Sequence, residues 1–91
     1  MSEPTFARAT RVLWRIADDR VIVRTMGERS LGGEAEVTGS AAVVWVSLDH
    51  PRRSADLQAA LAAAGCADPA DELQRALALL SEHALVVTHA P

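Results

Sequence analysis

A chain of 91 residues, 49% of them apolar and 23% charged, has the balance of one globular domain with one modest core. Twelve acidic against nine basic side chains give a formal charge of -3, the wrong sign for tracking a phosphate backbone, so nucleic acid is not an expected partner. The lone cysteine, Cys66, has no second thiol for a disulfide, no apolar run approaches the roughly 18 residues of a membrane span, and Met1–Phe6 lacks a signal-peptide core. A cytoplasmic protein without membrane contact is expected.

In chain order, residues 1–11 read as a flexible N-terminal segment. Val12–Ile16 and Arg20–Arg24 are rich in β-branched residues, and the polar break Ala17-Asp18-Asp19 between them predicts a tight hairpin. Gly27–Gly33 reads as a loop, and the alternation of Glu34-Ala35-Glu36-Val37 predicts a short third strand. The period then changes to about 3.6 residues, because Ala41, Val44, Trp45 and Leu48 share one face. This predicts a first helix, with Thr38 or Ser40 as its cap and Pro51 as its stop. A second helix is expected from an Ser54 cap through Ala55–Ala64, with Leu57, Ala60, Leu61 and Ala64 inward and Gly65 as a left-handed end. A third is expected after Asp68 as N-cap and Pro69 at the first helical position, running to Glu82 or His83. Its core stripe is Leu73, Ala76, Leu77, Leu80 and Ala84. Leu85-Val86-Val87 is either a last strand or an extended tail, and residues 89–91 are expected as a C-terminal tail. The domain proper is 12–88, an α+β fold with a three-stranded antiparallel sheet followed by three helices.

No catalytic constellation emerges. His50, His83 and His89 lack metal-ligand spacing, and the glycine-rich segment 27–33 lacks a Gly-Lys-Ser/Thr ending and precedes a strand. Asp18-Asp19 suits a turn and Asp68, Asp71 and Glu72 suit a helix start, so neither group requires acid–base chemistry. Arg52-Arg53 is the one basic doublet, and in an acidic chain it is expected to solvate a helix start rather than to hold DNA. A non-enzyme with no catalytic residue, no metal site and no cofactor is expected.

The stretch from Val37 to Asp49, with Val44-Trp45 followed by Leu48, resembles the strand-to-helix junction of the PqqD-like family, the peptide-binding domains called RiPP recognition elements. Pro51-Arg52-Arg53-Ser54 with Leu57, Asp68-Pro69-Ala70 and Leu80–Val87 are similar to the family's later junctions, so the resemblance spans about residues 12–88. Thr38 stands where the family often has Asn. The resemblance implies a winged helix-turn-helix-like fold. It implies a peptide chaperone that binds the leader segment of a ribosomally synthesised precursor peptide as an added strand beside the third strand, in a groove closed by the third helix. The residues so placed are Glu34, Ala35, Glu36, Val37 and Thr38 on the strand, with Glu72, Arg75, Ala76, Leu79 and Glu82 on the helix. The partner is then a modifying enzyme such as a radical SAM enzyme, a protease or a cyclase, and the protein a monomer or weak dimer working in natural product biosynthesis.

Leu79 draws notice without the resemblance, because it lies about 100° from the core stripe of its helix, beside Glu72, Arg75 and Glu82. Three other readings stay open: a winged-helix DNA-binding protein, which requires a basic face, a structural subunit of a biosynthetic complex, and a small enzyme, which requires a catalytic constellation.

Overall fold

The structure is a computed structural model that describes residues 3–25 and 34–89. The loop expected over Gly27–Gly33 lies outside the described residues. The elements run β1 (Thr5–Arg8), β2 (Val12–Ala17), β3 (Arg20–Thr25), β4 (Glu34–Val37), α1 (Gly39–Ser47), β5 (Arg52–Arg53), α2 (Ser54–Ala63), α3 (Pro69–Glu82) and β6 (Val86–His89). The fold is α+β, with the antiparallel sheet β2-β3-β4 followed by helices, and a second three-stranded sheet of order β5-β1-β6.

Ala17 pairs with Arg20, so the β2-β3 turn consists of Asp18 and Asp19 alone, and Asp18 takes a φ of 58° to make it. A two-residue turn fixes the register. It pairs Trp14 with Val23 and Ile16 with Val21, while Val23 and Val21 pair in turn with Ala35 and Val37 of β4. One face of the sheet is therefore apolar, and its valines Val21, Val23 and Val37 are buried. The other face carries Arg15, Arg20, Arg24, Glu34 and Glu36 among its residues, which is the alternation of a sheet with one wet side.

α1 lies on the apolar side with its predicted stripe inward: Ala41, Val44, Trp45 and Leu48 are all buried, Val44 and Trp45 completely. Leu57 and Leu61 of α2 join Leu73, Ala76 and Leu80 of α3 in the same core. α2 ends as expected on Gly65, whose φ is 93°. The amide of Gly65 donates to the Ala62 carbonyl and that of Cys66 to the Leu61 carbonyl, both at 3.0 Å, the paired bonds of a Schellman end. At the start of α3 the Asp68 carboxylate accepts from the Asp71 amide at 3.3 Å, with Pro69 in the first turn.

Several expectations are corrected. Thr5–Arg8, expected within a flexible segment, is a strand: it pairs antiparallel with Val86–His89 on one side and with Arg52 and Arg53 on the other. Its backbone groups thereby find partners, and Leu85–Val87 is resolved into a strand over Val86–His89, which includes one residue expected in the C-terminal tail. Ala84 does not continue the α3 stripe. α3 ends at Glu82, and Ala84 takes a φ of 56° and is exposed, so that the Leu85 amide can donate to the Leu80 carbonyl at 2.8 Å. Neither Thr38 nor Ser40 caps α1: Thr38 occupies the N-cap position without a side-chain bond, and the Ser40 hydroxyl donates to the Glu72 carboxylate at 2.8 Å instead. Ser54 is inside α2, with Arg53 at the cap position and its amide bonded to the Asp56 carboxylate at 3.3 Å. Of the expected inward face of α2, Ala60 is half-buried and Ala64 exposed.

Candidate functional site

The candidate site begins with β4, which lies at the edge of its sheet and has no strand on its far side among the described residues. In an antiparallel ladder the residues that exchange hydrogen bonds with a given neighbour alternate along the strand. The closing pair of a two-residue hairpin is such a pair, so Ala17/Arg20, Arg15/Ile22 and Leu13/Arg24 bond across β2-β3. On β3 this directs Val21 and Val23 towards β4, where they meet Val37 and Ala35. Glu34 and Glu36 are left with their amides and carbonyls pointing away from the sheet. The four residues of β4 thus divide cleanly: Ala35 and Val37 hold the ladder and face the core, while Glu34 and Glu36 present an open edge.

The side chains around this edge are largely engaged with one another. Glu36 accepts from Arg20 at 3.0 Å across the strands, and Glu34 lies opposite Arg24. Val37 is buried with its side chain in the core, so what it offers a ligand is backbone alone. Thr38 is exposed where β4 turns into α1. Next to it Gly39 has a φ of 60°, a left-handed conformation that suits glycine.

Of the five helix residues, the structure ties one to the β4–α1 junction. Glu72 is half-buried and accepts from Ser40, which lies three residues beyond Val37. Ala76 is corrected: at 4% exposure it belongs to the core, because its position on the Leu73–Leu80 stripe turns it towards α1 and α2. Arg75, Leu79 and Glu82 share an exposed face of α3. Arg75 reaches back one turn to the Asp71 carboxylate at 3.0 Å. Leu79 is 42% exposed beside the fully buried Leu80. The main contacts of α3 are with α1, α2 and β6, and β4 is not among them.

The sequence reading missed the aromatic and cationic structure behind the sheet. Arg8 projects from β1 to the C-terminal end of α1, where its Nε donates to the Trp45 carbonyl at 2.9 Å and its Nη2 to that of Val46 at 3.1 Å. The same guanidinium lies 4.3 Å from the ring centre of Trp14 and 5.2 Å from that of Trp45, and the two rings meet edge to face at 6.0 Å. Arg52 adds a third bond to this helix end, from its Nε to the Ser47 carbonyl at 2.9 Å, and pairs with Asp49 at 3.0 Å. That arrangement accounts for one half of the basic doublet as a helix C-cap. The Arg52 bond holds the Asp49 carboxyl below its ordinary range, while burial pulls Arg8 down and the Asp49 charge partly opposes it.

A second missed feature is an open apolar groove of about 500 Å³ between the hairpin turn and the helices, walled by Ile16, Val43, Val46, Ala60 and Ala63 with Asp18 and Asp19 at its rim. The signal for it was Val46, which lies off the core stripe of α1. No helix among the described residues is long and apolar enough to cross a membrane, and no group of three potential metal-binding side chains occurs among them. No protein family, curated protein or solved structure matched the chain. The site is therefore read from its own geometry.

Proposed function

We propose that the protein is a non-catalytic recognition domain of the PqqD-like kind, which takes the leader segment of a ribosomally synthesised precursor peptide as a fourth strand on β4 and presents it to a modifying enzyme. The observation that carries the reading is the β4 edge, on which Glu36 offers an amide and a carbonyl with no strand among the described residues to receive them. Strand addition draws affinity from such main-chain groups and choice from alternate side chains. The added strand would meet the charged outer face of the sheet, where Glu36 is paired with Arg20 and Glu34 lies opposite Arg24, so its main chain rather than its charge would carry the affinity. Its far end would lie by Thr38 and the Ser40–Glu72 contact. Holding a precursor raises its concentration near the enzyme without any chemistry in the holder.

Proline scanning of the edge tests this. The probes are synthetic peptides covering the N-terminal halves of short reading frames encoded beside the gene. Glu36→Pro removes an outward amide and is expected to leave the protein folded while weakening binding about tenfold or more. Ala35→Pro removes a rung of the β3-β4 ladder, and is expected to lower the melting temperature. A folded Glu36→Pro protein that binds as tightly as wild type in calorimetry excludes β4 as the docking strand. Saturable, sequence-selective binding of duplex DNA that persists as salt is raised would replace the peptide reading with the DNA-binding one.

A further inference from the structure

We propose that the outer edge of β2 is a self-association site, at which two copies of the chain pair their β2 strands antiparallel about a two-fold axis with Trp14 opposite Trp14 of the second copy. The proposal does not rest on the peptide reading, since β2 and β4 are opposite edges of the sheet β2-β3-β4.

β2 has no strand on its far side among the described residues. It is the longer of the two edges, it has no proline and no bulge, and Arg15 is its one charged residue. It also carries three large apolar side chains in the open: Leu13 at 58%, Trp14 at 38% and Ile16 at 61% exposure. Alternation places Leu13 on the outer face of the sheet and Trp14 and Ile16 on the inner face. One ligand on one face would therefore not cover them, whereas a neighbouring strand bearing its own side chains would shield both faces.

Charge identifies that strand. β2 is preceded by Arg11 and followed by the Asp18-Asp19 turn, whose Asp19 side chain is 91% exposed. Antiparallel pairing of two such strands brings a basic start beside an acidic end twice over, so the edge is complementary to itself. This is what a two-fold interface requires.

The hydrogen-bond alternation then selects the register. Val12, Trp14 and Ile16 point their amides outward, because Leu13, Arg15 and Ala17 bond to β3. Centring the pair on Trp14 sets Val12 opposite Ile16 and Leu13 opposite Arg15 of the second copy, and brings Arg11, whose φ of 62° ends the extended run just before Val12, to the side of the Asp18-Asp19 turn. Centring it on Arg15 would oppose two guanidinium groups directly, and centring it on Leu13 would oppose Arg11 and Arg15; like charges in facing positions are unfavourable. Centring it on Ile16 would run the pairing into the Asp18-Asp19 turn. The Trp14-centred dimer has one continuous six-stranded sheet with a β4 edge open at each end.

Sedimentation velocity over about 1–500 µM protein tests the association. The wild-type chain is expected to pass from monomer to dimer in this range. Ile16→Lys places a charge on an already exposed site, and is expected to raise the dimer dissociation constant about tenfold or more without changing the melting temperature of dilute protein. The register is tested by disulfide trapping in a Cys66→Ser background. A Leu13→Cys chain mixed with an Arg15→Cys chain is expected to form the mixed disulfide in preference to either homodimer. A wild-type chain that stays monomeric throughout, an Ile16→Lys chain that dimerises like wild type, or homodimers trapped as readily as the mixed species would each overturn the proposal. So would a peptide probe that dissolves the dimer by binding β2. A failure of peptide binding at β4 with the dimer intact would count against the peptide reading alone.

Discussion

Arg8 connects parts of the chain that are remote in sequence, because its guanidinium closes the C-terminal end of α1 and stacks on Trp14 and Trp45. Bonds from a charged donor to helix carbonyls and cation–π contact each stabilise, and the flat guanidinium performs both in one plane. Arg8→Ala is expected to cost about 2–4 kcal/mol, and Arg8→Lys to recover less than half of that, since an ammonium cannot span two carbonyls while stacked. Urea denaturation of the three proteins measures this, and a lysine variant as stable as wild type would remove the stacking argument. Ala84 shows the opposite situation, a residue that holds an unfavourable conformation so that its neighbours can bond. With φ at 56° and an exposed side chain, Ala84→Gly is expected to add about 0.5–1 kcal/mol. A lower melting temperature for that variant would show that its methyl group matters more than its backbone strain.

Elements were legible where their signals are local. The Ala17-Asp18-Asp19 break marks a turn within three residues, Asp68-Pro69 marks a helix start, and Gly65 supplies a left-handed end, and each lies where the sequence placed it. The α1 stripe was equally readable, since apolar spacing reports burial directly. Ala84 was misread because helical spacing continues on paper past the residue at which the helix stops. On α3 the same spacing separates Leu80, fully buried, from Leu79, 42% exposed. Leu80→Ala should therefore cost about 2–5 kcal/mol by leaving a cavity, whereas Leu79→Ala should leave thermal stability nearly unchanged. An early melt for Leu79→Ala would place that side chain in the packing and not on a surface available to a partner.

At the scale of the whole molecule, what the sequence concealed is long-range. β1 pairs with β6 from the other end of the chain and with Arg52 and Arg53 from its middle, and nothing in Thr-Phe-Ala-Arg announces such partners. The Arg8 cap and the Ser40–Glu72 contact were hidden for the same reason, since each joins residues more than 30 positions apart. The edge status of β4 belongs to this scale too: the alternating Glu34–Val37 predicts a strand, but only its place in the sheet leaves Glu36 pointing outward. Amide mapping tests that edge most directly, by recording backbone resonances of the labelled protein during titration with the peptides from neighbouring reading frames and following amide exchange in the complex. Strand addition predicts slowed exchange at Glu36, with the Ala35 and Val37 amides already protected in the free protein. Binding that leaves Glu36 exchanging as in the free protein, while protecting Trp14 and Ile16 or the groove at Val46, would contradict it.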